Sequence, residues 1–361
     1  MNKYINLIII LITLLIITIG NLLIFSSASG GPHYMHKQIL FTCVGIILGL
    51  CTFSIPTKIF EKFTPYIYLL NLAMLISVLF LGTNINGARR WFNLGFMNFQ
   101  PSELSKILII ICLSVFLFKR KDRIDKPSTF WYSLIYTAIP TLLIFKEPDL
   151  GTSIVFIAVW FIINLFLGTS FKNVIVFILI ICVLSFVTWF VPGVLKPYQK
   201  ERLTTFLNPE ADILDSGYHV TQSKIAIGSG GMTGKGYLKG GQRALKFIPE
   251  QHTDFIFTVL GEEEGFVGGA ILLILYTLLF MCFLYVALTT PDLIGKGIVV
   301  GISGMFMFQI FTNIGMTLGI MPVTGLPLIL VSYGGTSLIT SLMAIGIILG
   351  ISYRNKQTDF F

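Results

Sequence analysis

Ile5-Asn6-Leu7-Ile8-Ile9-Ile10-Leu11-Ile12-Thr13-Leu14-Leu15-Ile16-Ile17-Thr18-Ile19-Gly20-Asn21-Leu22-Leu23-Ile24-Phe25 contains no charged side chain. A helix needs roughly 20 residues to cross the hydrocarbon of a bilayer, and this stretch is long enough. The Ser26-Ser27-Ala28-Ser29 that follows faintly resembles a cleavage site. The run is long and more apolar runs follow, so it reads as a retained helix and not a removed signal. Working outward, comparable runs lie near 38–55, 66–81, 103–118, 132–146, 151–168, 173–191, 265–288, 297–320 and 336–353. The run at 132–146 is the weakest, being short and interrupted by Pro140. Hydrophobic residues make up 55% of the chain and charged residues 12%, against about 25% charged in soluble domains. The expected fold is an all-α polytopic membrane protein of about ten transmembrane helices. It forms one integral membrane domain over 1–361, with a large extracytoplasmic loop at about 192–264 between helices 7 and 8.

The net charge of +8 suggests nucleic acid only while its distribution is ignored. With the N-terminus in the cytoplasm, the inside segments hold Lys3, Lys58, Lys62, Lys119, Arg120, Lys121, Arg123, Lys126, Lys172, Lys296, Arg354 and Lys356. The short outside loops hold only Lys37, Arg89, Arg90 and Lys146. This asymmetry sets the orientation by the positive-inside rule, with both termini cytoplasmic and the long loop outside. A nucleic-acid partner is not expected. The stretches least suited to lipid are 82–102, 146–151, 192–264 and 321–335, all outside, and they are expected to converge on one face. Loops of such length are commonly functional. The five cysteines (Cys43, Cys51, Cys112, Cys182, Cys282) sit in apolar runs without metal-ligand spacing. They read as lipid-facing or packed small hydrophobes, which sets disulfides and zinc aside.

Four constellations carry the polar chemistry. The first is Asn86-Gly87-Ala88-Arg89-Arg90-Trp91, followed by Gln100-Pro101-Ser102-Glu103-Leu104-Ser105-Lys106. Pro101 and Ser102 suit a helix start, and Glu103 suits its first turn. Glu103 and Lys106 share a helical face and can pair. That pair is either a structural ion pair or one wall of a polar cleft beneath Arg89 and Arg90. Guanidinium forks fit phosphate oxygens, which favours a phosphate-bearing ligand there. The second is Lys146-Glu147-Pro148-Asp149, either a solvated turn or carboxylates facing the same cleft. The third is Pro249-Glu250-Gln251-His252-Thr253-Asp254-Phe255, with Glu262-Glu263-Glu264 beyond it as a solvated or paired face. Asp254 opens an apolar stretch where partial desolvation favours accepting a proton, and His252 is placed to orient it or touch substrate. A plain helix cap is the alternative for Asp254. The fourth is Val331-Ser332-Tyr333-Gly334-Gly335-Thr336-Ser337 after Gly325-Leu326-Pro327, either an anion-binding turn or a close-packing device. Gly228–Gly236 fails as a phosphate loop, because Ser229 and Gly236 occupy positions that need Gly and Ser or Thr. It remains either a backbone-amide nest or a glycine turn.

Together these blocks resemble the SEDS family of bacterial cell-wall polymerases over residues 82–353. Lys196-Pro197-Tyr198-Gln199-Lys200-Glu201-Arg202, Gly217-Tyr218-His219 and the run from Gln222 to Gly231 are more similar to the elongation branch, typified by RodA, than to the division branch, typified by FtsW. Ile213-Leu214-Asp215, Gly261 and Thr336 depart from the family's usual residues, none at a proposed catalytic position. The resemblance implies ten transmembrane helices and peptidoglycan glycosyltransfer on the outer face of the bacterial cytoplasmic membrane. It implies lipid II and lipid-linked nascent glycan as substrates and a class B penicillin-binding protein as partner. It also implies a divalent cation, Mg or Mn, whose ligands the motifs do not give, and no organic cofactor. By motif position Asp254 takes the place of the family's essential aspartate, while Arg90, Gln100, Glu103 and Lys106 fall on its polar-cleft positions. Arg89, Glu147, Asp149, Lys224 and His252 complete the expected substrate-binding set. In this reading Asp254 is the general base for an inverting single displacement. A lipid II flippase would need a continuous polar path, which the inner halves of the spans lack. A non-catalytic scaffold activating a penicillin-binding protein would need neither Asp254 nor Glu103.

Overall fold

The computed structural model of the protein describes residues 2–27, 31–85, 88–95, 97–190, 216–241 and 251–358. The stretches Lys196–Arg202, Ile213–Asp215, Asn86-Gly87 and Pro249-Glu250 singled out above lie outside the described residues. The apolar runs become α1 (Asn2–Ser26), α2 (Pro32–Phe53), α3 (Thr57–Leu81), α4 (Pro101–Phe118), α5 (Pro127–Lys146), α6 (Leu150–Leu167) and α7 (Phe171–Phe190). After them come α8 (Ser216–Gly230), α9 (Ile256–Glu263), α10 (Gly265–Thr289), α11 (Leu293–Thr317) and α12 (Gly335–Thr358). Among the described residues, nine helices are long and apolar enough to cross a membrane. The tenth expected run is α7, whose stretch Phe171–Val183 is a shorter apolar helix. The eight-residue α9 is too short to cross, and α8 is a segment of the long loop that buries Val220, Ser223 and Ala226 on one face and exposes Ile225.

The run interrupted by Pro140 is an unbroken helix of 20 residues. Proline removes the amide that would bond the carbonyl four residues earlier, which normally costs a buried acceptor its partner. Here the Tyr68 hydroxyl of α3 donates to the freed Tyr136 carbonyl at 2.8 Å. The helix survives because a neighbouring helix supplies the missing donor.

α4 lies at the centre, packed by α3, α5, α6, α11 and α12, with 78% of its span buried. α2 and α12 form the most extensive pair, and small residues explain their approach. A methyl on Gly346 would lie 2.1 Å from the Gly49 carbonyl, and one on Gly350 would lie 2.3 Å from the Phe53 carbonyl. Glycines four residues apart on facing helices allow backbone contact, the device that replaces the hydrophobic effect in lipid. Thr52 donates to the Met343 carbonyl at 2.8 Å, and Arg354 donates to the carbonyls of Phe53 and Ile55 at 2.8 and 2.7 Å. Between α3 and α4 a small antiparallel sheet of β1 (Thr83–Ile85), β2 (Ala88–Asn93) and β3 (Asn98–Phe99) covers one end of the bundle.

Candidate active site

The sheet delivers its side chains to the turn between α5 and α6. From β2, the Arg90 Nε donates to the Glu147 carbonyl at 2.8 Å, and one terminal nitrogen donates to the Pro148 carbonyl. Arg90 is therefore a clamp on this turn, while Arg89 beside it is exposed. Asp149 caps α6 by accepting from the Thr152 amide at 3.1 Å and the Thr152 hydroxyl at 3.0 Å. Gln100, at the start of α4, donates to Asp149 at 3.1 Å and to Ser102 at 3.0 Å. Glu147 is buried, and neither carboxylate oxygen has a hydrogen-bond partner. Its carboxyl is pushed up to about 9, by burial first and by Asp149 in the same direction, with Arg90 opposing both.

One turn into α4, Glu103 and Lys106 meet at 2.7 Å with side chains only 5% and 3% exposed. The expected pair exists, in a far drier setting than a surface ion pair. The α4 start is tied to the fourth constellation as well. The Gln100 amide donates to the Thr336 hydroxyl at 3.2 Å, and that hydroxyl donates to the Asn98 carbonyl at 3.0 Å.

Asp254 lies on the turn 251–255 just before α9, and three successive carbonyls of this turn are pinned from elsewhere. The His252 carbonyl accepts from the Tyr333 amide at 2.9 Å, and the Thr253 carbonyl accepts from the Ser332 hydroxyl at 2.6 Å. The Asp254 carbonyl accepts from Asn313 Nδ2 at 2.8 Å, and the same amide group reaches the Leu326 carbonyl at 2.7 Å. The loop 318–334 is thus stitched along the turn. It also borders the other site residues. A methyl on Gly325 would lie 3.5 Å from Asp254 Oδ2, and one on Gly151 at the start of α6 would lie 2.7 Å from the Thr324 carbonyl. A methyl on Gly319 would lie 3.1 Å from the aliphatic stem of Lys224, whose side chain is exposed. One loop therefore joins Asp254, Lys224 and the Asp149 end of α6. The His252 ring sits 4.8 Å from Tyr34 and 5.4 Å from Tyr333, and Tyr34 and Tyr333 meet edge to face at 5.0 Å.

The glycine segment after α8 is a packing device. A methyl on Gly234 would lie 2.0 Å from the Glu263 carbonyl, and Gly234 adopts a φ of +73°. The Lys235 and Gly236 amides donate to the carbonyls of Glu262 and Glu263 at 3.0 and 2.9 Å, so neither amide is left to cradle an anion. Glu262 and Glu263 are buried and not solvated. Glu262 accepts from Lys235 and from the Gly241 amide, each at 2.7 Å, and Glu263 accepts from Ser26 at the end of α1. Burial pushes the Glu263 carboxyl up. Sequence reasoning did not select Asn313, Gln38 or Tyr34. Gln38 Nε2 donates to the Ser332 carbonyl at 3.0 Å. The available signal was an amide side chain inside an otherwise apolar run, which is rare in lipid and usually satisfied internally.

The comparisons agree with this architecture. A family model described as a cell cycle protein, covering FtsW, RodA and SpoVE, matches residues 2–357. The peptidoglycan glycosyltransferase MrdB of Escherichia coli is 38% identical over 348 residues, 96% of this chain and 93% of its own length. The peptidoglycan glycosyltransferase RodA of Treponema pallidum is 33% identical, covering 95% of this chain and 96% of its own. A chain solved within a peptidoglycan synthase complex that coordinates polymerization and crosslinking superposes with TM-score 0.83 at 32% identity, covering 97% of this chain and 98% of that one. The rod shape determining protein RodA of Thermus thermophilus gives TM-score 0.70 at 28% identity, covering 96% of each chain. With its helical order, its polar end and a family match over nearly its whole length, the chain belongs to the FtsW, RodA and SpoVE family, the SEDS family.

Proposed function

We propose that this protein is a peptidoglycan glycosyltransferase that polymerises lipid II into β-1,4 glycan strands, with Asp254 as general base. The observation that carries the reading is the pinning of the carbonyls of His252, Thr253 and Asp254 by Tyr333, Ser332 and Asn313. A base must be held within about 0.5 Å of its productive position, and backbone anchors achieve that without consuming the carboxylate. Asp254 accepts the proton of the 4-hydroxyl of an acceptor GlcNAc. That oxygen attacks the anomeric carbon of the donor MurNAc, and undecaprenyl diphosphate departs with the bonding pair. The donor linkage is α and the product β, so one displacement with one base suffices.

The departing diphosphate gathers negative charge, and cations at this end of the bundle stabilise it. Arg89 and Lys224 are exposed and able to reach a ligand. Arg90 acts by shaping the turn 147–149 and adding positive potential, since its Nε and one terminal nitrogen already meet that turn. Lys106, paired with Glu103, contributes the same way from below. His252, Gln100, Glu147 and Asp149 form the polar walls. A divalent cation takes hard oxygen donors, and Mg is often held by one or two carboxylates together with substrate phosphates. Glu147, whose buried carboxylate oxygens lack a partner, and the neighbouring Asp149, which also caps α6, fit that description and would hold it. Such an ion supplies countercharge to the diphosphate.

The chain sits in the membrane as a multi-pass protein. The excess of Lys and Arg on one side supports cytoplasmic termini and an extracytoplasmic active end in the bacterial cytoplasmic membrane. The similarity to a chain from a peptidoglycan synthase complex supports a partner that crosslinks, a class B penicillin-binding protein. The test is glycan synthesis from lipid II by purified protein with and without that partner, wild type beside Asp254→Ala and Asp254→Asn. General-base assistance is worth about 10²–10⁴-fold, so both variants should lose turnover by that factor while melting normally. Full-length ladders from Asp254→Asn would remove the base role.

A further inference from the structure

At the far end of α4 from Glu103, a cleft of about 360 Å³ opens between α3, α4 and α5. Ligand clefts commonly measure about 300–1,000 Å³. Its sides are apolar, formed by Pro65 and Leu69 of α3 and Val115 and Phe116 of α4. Pro65 and Leu69 are exposed, so the cleft opens sideways, on the surface that a bundle presents to lipid. Its floor is aromatic. Tyr68 and Tyr136 stack at 4.2 Å and 17°, and Phe116 lies 5.0 Å from Tyr136. The Tyr68 hydroxyl is committed to the Tyr136 carbonyl.

Two cations stand at the mouth, Lys119 and Arg120, just past the last turn of α4. The Arg120 guanidinium lies 3.9 Å from the Phe116 ring centroid, which fixes its charge at the rim. Among the described residues the ion pairs are Glu103–Lys106 and Lys235–Glu262, so neither rim cation meets a carboxylate within 4.0 Å. The proposed reaction uses none of these groups, and they lie at the other end of α4.

We propose that this cleft binds one anionic phospholipid, its phosphate at Lys119 and Arg120 and the start of an acyl chain along Leu69 and Phe116. The apolar walls favour a lipid over a water-soluble anion. The unpaired cations favour an anionic headgroup over a zwitterionic one, and a guanidinium fork matches phosphate oxygens. Basic pockets between transmembrane helices on the cytoplasmic side are a recurrent lipid-binding form. The walls cover Pro65 to Leu69, about 6 Å of helix at 1.5 Å per residue. That length accommodates the glycerol and first methylenes, with the remaining chain in the bilayer.

The experiment is native mass spectrometry of the full-length protein in detergent with equal phosphatidylglycerol and phosphatidylcholine. Wild type should retain phosphatidylglycerol selectively. Lys119→Gln with Arg120→Gln should weaken that retention about thirtyfold, at roughly 1 kcal/mol for each basic residue near an anionic lipid. Leu69→Trp, which narrows the cleft and leaves both cations, should lower retention of either lipid. Lipid II polymerisation and melting temperature serve as folding controls. If the double variant does not fold, Arg120→Gln alone gives the same reading at about fivefold. Equal retention of the two lipids, unchanged retention in the charge variants, or displacement by inorganic phosphate alone would each overturn the proposal. So would a copurifying protein segment occupying the cleft.

Discussion

Glu103 and Lys106 offer a sharp test of how α4 is built. Their charged atoms lie 2.7 Å apart, and both side chains are almost entirely out of solvent. Removing one partner leaves the other as a bare buried charge, which typically costs about 3–5 kcal/mol. Glu103→Met and Lys106→Met should each destabilise by that amount. The double variant removes both charges at nearly conserved volume, and such replacements are often neutral or stabilising by about 1–4 kcal/mol. The coupling energy from the cycle should therefore exceed about 3 kcal/mol, far above the ~0.5 kcal/mol of a surface helical pair. The assay is reversible unfolding in mixed micelles, with glycan synthesis measured on the same samples. Single variants that each cost under about 1 kcal/mol, or a double variant as unstable as the sum, would refute the argument from burial. The activity readout separates two roles for the pair. A well-folded double variant that polymerises lipid II assigns the pair to structure, whereas a well-folded inactive one assigns it to the site.

Two further perturbations bear on the packing around α9. Glu263 has its proton affinity raised by burial, so the folded state holds a proton that the unfolded chain has released. Stability should fall as pH rises above the ordinary carboxylate range, levelling off once the folded state ionises. Glu263→Gln should flatten that slope in a melting series, and an unchanged slope would count against burial as the cause. Gly234→Ala places a methyl 2.0 Å from the Glu263 carbonyl in a left-handed backbone. It should cost about 3 kcal/mol, from overpacking of about 1–3 and a left-handed penalty of about 1–2. Gly231→Ala, left-handed at φ +55° but in open space, should cost only about 1–2 kcal/mol. Equal losses from the two substitutions, measured by melting, would remove close packing as the reason for Gly234.

Much of the fold was legible because a bilayer leaves few options. Apolar runs of the right length have to be helices, and the structure forms helices at all ten runs. Pro101 was legible as a helix start for an equally local reason: it lacks an amide where a helix has no use for one. The Glu103–Lys106 pair followed from helical spacing alone. The continuity of α5 was not legible, because the donor that repairs Pro140 comes from Tyr68 on another helix. The Arg90 geometry was hidden for the same reason. An arginine among polar residues suggested a phosphate fork, but its partners are main-chain carbonyls 57 and 58 residues away.

The loop 318–334 shows where sequence reading meets its physical limit at the site. Its glycines and hydroxyls marked it as a tight turn, yet its role rests on an exchange of hydrogen bonds with residues 252–254. The Tyr333 contribution is an amide, which any residue but proline supplies, so side-chain identity carries no trace of it. Ser332 and Asn313 do use side chains, but each reaches a carbonyl and not the Asp254 carboxylate. The proposed base is thus positioned by groups that do not themselves react. Truncating Asn313 would leave one buried and one partly buried carbonyl short of a donor and let the turn shift. Since a displacement near 1 Å at a reacting group costs about 10²-fold in rate, the support for Asp254 bears on turnover almost as directly as the carboxylate does.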